Sequence, residues 1–261
     1  MIKHKLLACI FLFGFIIPAF PQSGIVHEVG VIAGRVEFRS DYGQRDNTQN
    51  NLNNMGVEIG IVDYLNFSFY DNRNSYFNEH FKVRTEISYS KTNLKHYGEW
   101  VNGNSLGAKQ LKAMQGTTQL VSLGLQLEYY LLDIHDFENT MGSFAPYISL
   151  GGQVGYYTAT ATSTLGELGN ITTTYPKYLV PSDGRPHGYS NESKAITSVA
   201  FGLGTRYKLN RMSDLVLDTR VQYFNSDWVD GLNPNKEIYT ENKYNDWLTF
   251  IGVGYIYYLD F

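Results

Sequence analysis

Apolar and polar residues alternate along most of this chain with a period of two, the pattern of strands whose two faces meet different surroundings. Eight stretches carry it: 25–38 (IVHEVGVIAGRVEF), 54–69, 80–94, 117–132, 144–158, 194–209, 214–228 and 246–261. Each runs 14 to 16 residues, against the ~5 to 6 of a globular strand. A tilted membrane-crossing strand needs about 9 to 11 residues inside the lipid, which leaves a few to project at each end. The connections measure 15, 10, 22, 11, 35, 4 and 17 residues, so longer and shorter ones alternate. With the N-terminus on the periplasmic side, every longer loop faces outward and every shorter turn inward, as in outer-membrane barrels. The pattern predicts an all-β fold, an eight-stranded antiparallel transmembrane β-barrel in the bacterial outer membrane.

Parity assigns the faces. One face carries apolar sets such as Val29, Val31 and Ala33, or Leu123, Leu125, Leu127 and Tyr129. The opposite face carries Glu28, Glu58, Lys82, Arg84, Glu86, Gln126, Glu128, Arg206, Asp218, Arg220 and Gln222. An ionised group facing hydrocarbon costs a few kcal/mol near the midplane, so these side chains are expected in the lumen. Eight strands leave room for little more than their own side chains. Five acids against four bases therefore predict an ion-paired plug, with Arg84 and Glu86 meeting Glu128 and Arg220 meeting acids on neighbouring strands. A gated ion path is the alternative, and a single-sign ring would favour it.

The first 20 residues, MIKHKLLACIFLFGFIIPAF, join a short basic start to an apolar run, the layout of a secretory signal peptide. Residues 1–22 are expected to be cleaved and 23–261 to form a single barrel domain; a retained anchor helix is the alternative, but the apolar run is shorter than the ~20 residues of a span. The one cysteine, Cys9, lies in the leader ahead of its apolar core, the wrong order for lipidation. The mature chain then has no disulfide framework and no thiolate metal site. Removing Lys3 and Lys5 leaves 19 basic against 25 acidic residues, a net charge of −6, with no basic stripe for nucleic acid. Aromatic residues make up 15% of the chain, led by 21 tyrosines, as expected where rings line two membrane interfaces.

The chain closes on GVGYIYYLDF, with Tyr255, Tyr257, Leu259 and Phe261 on one side. A terminal Phe preceded by apolar residues at every second position resembles the signal by which outer-membrane barrels reach their insertion machinery. The glycines of GVGY and GLGTR open no helix, so they are not dinucleotide fingerprints and are expected to relieve crowding in the lumen.

Catalysis is a weaker reading. His27 and His80 fall at periplasmic strand ends and His135 in an inner turn, leaving His96 near Glu99 and Ser105, and His187 near Asp183 and Ser190, on the outer side. A triad is defined by geometry and not by separation in sequence. The oxygens of NSDWVDGLNPN (225–235) lack the regular spacing of an EF-hand loop, so a turn is expected there. AKQLKAMQ (108–115) has the spacing of one or two helical turns over the outer mouth.

The segments SDYG (40–43), YFNEHFKVRTEIS (76–88), QLKAMQG (110–116), APYISLG (145–151) and DWVDGLNP (227–234) resemble those of a family of small uncharacterised outer-membrane barrels from Bacteroidota-type bacteria. The resemblance spans nearly the whole mature chain and implies the barrel fold, without catalytic residues to carry over. Some members bear the label glutamate dehydrogenase, but that activity needs a βαβ nucleotide domain, and the label reads as a naming error.

The sequence thus points to a non-enzymatic barrel without cofactor or metal, in contact with outer-membrane lipid and with the insertion machinery. Its outer loops, above all 163–193, are expected to bind an envelope protein or surface ligand, with Tyr175, Tyr178 and Tyr189 as contact residues. A narrow channel for small hydrophilic solutes is the first alternative, and a barrel enzyme acting on outer-leaflet lipids or on peptides the second.

Overall fold

A computed structural model of the chain describes residues 25–43, 47, 51–68 and 75–259. The predicted leader and Phe261 lie outside these residues. Eight strands follow in order: β1 (Val26–Arg39), β2 (Met55–Asn66), β3 (Phe81–Lys95), β4 (Met114–Tyr130), β5 (Phe144–Ser163), β6 (Ser193–Asn210), β7 (Ser213–Phe224) and β8 (Trp247–Tyr258). Each pairs antiparallel with the next, and β8 returns to β1. Closure satisfies every strand edge, the only way a sheet can cross lipid.

Three short helices sit at the ends: α1 (Tyr76–His80) and α3 (Ile134–Asn139) on the periplasmic side, α2 (Leu106–Ala113) on the outer side. The last is the predicted turn over the mouth, shifted two residues earlier because Ser105 Oγ caps it by accepting from Ala108 N–H at 3.2 Å. The β4–β5 hairpin stands taller than its alternation suggested. Met114 pairs with Ser163, so β4 starts three residues before the predicted 117 and β5 ends five after 158. β7, by contrast, stops at Phe224, because 225–234 leaves the wall and enters the mouth.

The outer wall explains where this barrel lives. Val57, Ile61, Leu125, Leu150, Leu203 and Val253 are all at least half exposed, and similar residues continue around the circumference. A monomer in water rarely exposes an apolar patch beyond a few hundred Å²; a continuous belt of this kind belongs in hydrocarbon. Its upper edge is a paired, mostly polar row, Arg35, Val57, Lys91, Gln119, Thr158 and Ser193. Its lower edge carries the His27–Asp63 pair, 3.1 Å apart, and an aromatic cluster in which Tyr76, Phe77 and His80 of α1 stack around Phe81 and Tyr129. The protein is an outer-membrane β-barrel.

Candidate functional site

All eleven polar side chains expected in the lumen are at most 3% exposed. They form two linked tiers. In the lower tier Glu28 accepts from Lys82 at 2.6 Å, from Asn66 at 2.7 Å, and from Arg206. In the upper tier Arg84 lies 2.5 Å from Glu86, 3.1 Å from Asp218 and 3.4 Å from Glu128. Arg220 reaches Glu86 at 2.6 Å and also holds Glu58. Gln126 accepts from Ser149 and Gln222 donates to Ser198, at 3.2 and 2.9 Å.

Two expected pairings are corrected by this geometry. Arg84 does reach Glu128, but Glu86 is held by Arg84 and Arg220. Arg220, on β7, pairs with acids of β2 and β3 and not with its neighbours β6 and β8. In so narrow a barrel the long side chains converge on the axis, so the nearest acid stands on the opposite wall.

The network also holds residues the sequence reading omitted. Asp214 meets Lys208 at 3.2 Å and Arg206 at 3.3 Å, and Tyr258 donates to it at 2.7 Å. Tyr130 donates to Glu128 and Tyr147 to Asp218, at 2.7 and 3.0 Å. All of these share the inward parity, and counting tyrosines as lumen donors would have found them. Glu138 could not be found that way. It sits on α3, which turns up into the periplasmic mouth and places its carboxylate 3.0 Å from Lys82 Nζ, with Ile134 and Phe137 buried beside it.

Above the ionic tiers the lumen turns apolar. Phe38 and Phe224 stack at 6.0 Å, and Phe250 lies across Gly34 and Gly252. A Cβ on Gly252 would overlap the Phe250 ring, so GVGY does relieve crowding, as its spacing suggested.

The extracellular mouth is filled by residues 227–234, every one of them buried. Trp228 donates its indole N–H to Asp183 at 3.0 Å, and the Arg185 guanidinium lies 3.7 Å over its ring. Thr118 on the β4 wall donates to the Val229 carbonyl at 2.8 Å. Asp230 turns its carboxylate to the backbone N–H groups of Asp41 (2.8 Å) and Leu232 (2.6 Å). The predicted turn is present, with Gly231 at φ 85°, but it is packed inside the mouth and is not a surface feature.

His96 is the correction with most consequence. It is 8% exposed, wedged between Tyr42 and Tyr178 at ring separations of 4.8 and 5.9 Å. Its Nδ1 accepts from Gly43 N–H at 3.1 Å, which fixes the neutral tautomer. Burial, reinforced by the Lys177 charge, holds its pKa down at about 3. His187 stacks on Tyr189 at 5.2 Å, while the carboxylate of nearby Asp183 is engaged by Trp228. Among the described residues, the Nδ1 atoms of both rings face backbone groups, Gly43 N–H for His96 and the Leu179 carbonyl for His187.

Tyr178, expected as a surface contact, is 1% exposed and donates to the Asp41 carbonyl at 3.2 Å. Its ring is a wall of the cap, because the 3-10 turn Pro176–Leu179 points it inward. Tyr175 and Tyr189 are half-buried. Tyr175 lies against Gly107 of α2, where a Cβ would come within 2.9 Å of its ring. There it lines a hollow of about 250 Å³ together with Leu106, Gln110, Ile171, Lys177 and Tyr239. Lys177 lies 5.6 Å over Tyr239 and 3.1 Å from Glu241.

On β8, Tyr255 and Tyr257 face outward at 42% and 44% exposure, and Leu259 N–H donates to the His27 carbonyl at 2.9 Å. The barrel seam is therefore paired to the last described residue.

No protein-family model matches the chain, and no curated protein matches it. Solved structures similar to it are small barrels: Neisserial surface protein A, at 12% identity over 88% of this chain and 96% of that one with a TM-score of 0.44; a major outer membrane protein from Thermus thermophilus, at 15% over 90% and 99% with 0.46; and Ail, the attachment invasion locus protein of Yersinia pestis, in complex with the heparin analogue sucrose octasulfate, at 13% over 88% and 99% with 0.39. At such identities nothing about ligand or activity transfers, and the membrane assignment rests on this chain's own closed sheet and apolar belt.

Proposed function

We propose that this protein is a sealed, non-enzymatic anchor whose folded extracellular cap binds a surface ligand or an envelope partner. The observation that carries the reading is the cap itself: 227–234 inserted in the mouth, with the 164–192 loop packed over it. Holding long loops in one arrangement lowers the entropic cost of binding. The contact surface is the hollow between α2 and the long loops, with Tyr175, Lys177 and Tyr239 at its rim and exposed Leu106 and Ile171 beside it. Tyr189 remains a contact candidate; Tyr178 serves the cap from within.

The two closures speak against a standing pore for hydrophilic solutes, and the buried His96 and stacked His187 speak against a rim hydrolase. In the same reading β8, through Tyr255, Tyr257, Leu259 and Phe261, is the strand offered to the insertion machinery. Deleting Phe261 should then reduce inserted protein without changing the fold of what inserts.

The deciding experiment is a pull-down from envelope extracts with the intact protein and with a variant carrying Tyr175→Ala and Tyr239→Ala, both checked for heat-modifiable mobility. A specific partner lost in the inserted variant supports the reading. A partner retained equally, or current across a planar bilayer from the folded intact protein, overturns it.

A further inference from the structure

We propose that the outer wall carries a phospholipid site, a groove of about 740 Å³ that holds one acyl chain of a periplasmic-leaflet phospholipid. The groove follows the register of the sheet. Its lower bank is a row of successive partners, Phe144, Tyr207, Leu215, Tyr255 and Val31. Its upper bank is the next outward row, Thr205, Leu217, Val253, Ala33 and Ile59. Large rings on one bank and small side chains, Thr205 and Ala33, on the other leave a channel between rows that runs across the strands instead of along them.

Its path matches one leaflet. Phe144 is the first residue of β5 at the periplasmic end, whereas Ile59 stands well up β2, whose periplasmic end is Asn66. Crossing from β5 to β2 by way of β1 takes five strand steps of about 4.8 Å, roughly 24 Å in all. Because the strands tilt by about 35 to 45°, a row across them climbs about 14 to 17 Å along the membrane normal. Half of the ~30 Å hydrocarbon core is about 15 Å, the depth that one acyl chain spans.

The lower end suits a headgroup. Phe144 and Tyr207 pack with centroids 5.0 Å apart, and the Tyr207 hydroxyl lies 4.0 Å from where a Cβ on Gly142 would be, level with the periplasmic turn. A tyrosine there keeps its ring apolar and its hydroxyl wet. The groove is continuous with the lipid belt, and an unfilled hollow in hydrocarbon forfeits its dispersion contacts. A flexible chain fills such a hollow, whereas the convex wall of a second barrel would bridge its banks and leave it empty.

The test uses the mature protein refolded into vesicles of phosphatidylethanolamine and phosphatidylglycerol, taken up in mild detergent and weighed intact by native mass spectrometry. The expected result is a monomer that retains one phospholipid. Ala33→Leu combined with Thr205→Leu fills the upper bank and should reduce the lipid-bound fraction to background. Thr85→Leu, the same substitution facing lipid on β3, should leave it unchanged. Heat-modifiable mobility establishes that each variant is inserted, and Ala33→Leu alone replaces the double variant if that one fails to fold. Absence of retained phospholipid in the unaltered protein, equal retention in the groove-filling variant, or a dimer in place of the lipid-bound monomer would each overturn the proposal.

Discussion

The two ends of this barrel are closed by opposite chemistry. The periplasmic half is filled with charge: Arg84, Arg206 and Arg220 reach across the axis to Glu28, Glu58, Glu86 and Asp218, and α3 adds Glu138 from below. The extracellular half is closed by rings and aliphatic chains, from Phe38 and Phe250 up to Trp228, Val229 and Leu232, with Asp227, Asp230 and Asp246 buried among them and, among the described residues, no fully buried Lys or Arg there. Apart from Glu138, the charged half is built on strands, so its residues cannot move without unzipping the sheet. The cap above Phe38 and Phe250, with Trp228, Val229 and Leu232, is built on a loop, so it can open while the wall stays intact. Two kinds of stability follow, global below and local above.

The largest effect belongs to the charged half. Arg220→Met leaves Glu58 without its cation and Glu86 with Arg84 alone, and removing one partner of a buried ion pair costs about 3 to 5 kcal/mol. Urea unfolding from vesicles should show that loss over the whole barrel. Replacing Arg220 and Glu58 together by apolar side chains of similar volume should recover most of it, since the desolvation cost disappears along with the attraction while Glu86 keeps Arg84. A loss below about 1 kcal/mol for the single change would mean that the network fills space without holding the walls.

Trp228→Ala probes the other half. Truncating a buried Trp costs about 3 to 5 kcal/mol, but here it should appear as local opening. Hydrogen exchange should accelerate at 227–234 and at Asp41 and Tyr42, with β3 and β4 amides unchanged. If the strands loosen to the same extent, cap and wall are one cooperative unit and the contrast between them fails.

This division is also the limit of what was legible in the sequence. Parity placed Glu28, Arg84 and Arg220 in the lumen because a strand allows a side chain only two directions. It could not say that Arg220 would reach β2 and β3, since pairing across a lumen depends on closure and side-chain length. Nor could it place Glu138, which enters from a turn helix. Loop residues carry no such rule. Tyr178 and Tyr175 stand three apart in one polar loop, yet one is a buried wall of the cap and the other lines its rim. DWVDGLNP reads as a turn on any local criterion, and it is one; that the turn lies inside the mouth is decided by Thr118, Asp41 and Asp183, distant in sequence.

A smaller effect comes from pH. His96 is held neutral in the cap with its pKa down at about 3, while an unfolded histidine titrates near ~6.5. A base whose folded pKa is depressed contributes stability that is complete above the unfolded value and declines as pH falls toward the folded one. The slope is about 1.4 kcal/mol per pH unit, so about 2 kcal/mol of cap stability should be gone at pH 5. Protonating Nδ1 would also break the bond from Gly43 N–H. Protection factors, the intrinsic exchange rate at each pH divided by the measured one, should fall at residues 40–43 and 227–233 between pH 7 and 5, and His96→Gln should abolish that dependence.

The smallest expected effect tests the origin of that shift. After burial, the second cause is the Lys177 charge, and Lys177 is itself partly offset by Glu241, whose side chain is 64% exposed at 3.1 Å. An exposed ion pair contributes about 0 to 1 kcal/mol, so Glu241→Gln should leave cap stability nearly unchanged. The ammonium would then be less compensated, and the His96 titration, followed through its imidazole proton resonances, should move further down. Lys177→Met should move it up, narrowing the gap to the unfolded value and so reducing the cap stability lost on acidification. Opposite shifts from the two variants would tie the pH response to one lysine at the rim of the proposed binding hollow; shifts of the same sign, or none, would leave burial between Tyr42 and Tyr178 as its whole cause.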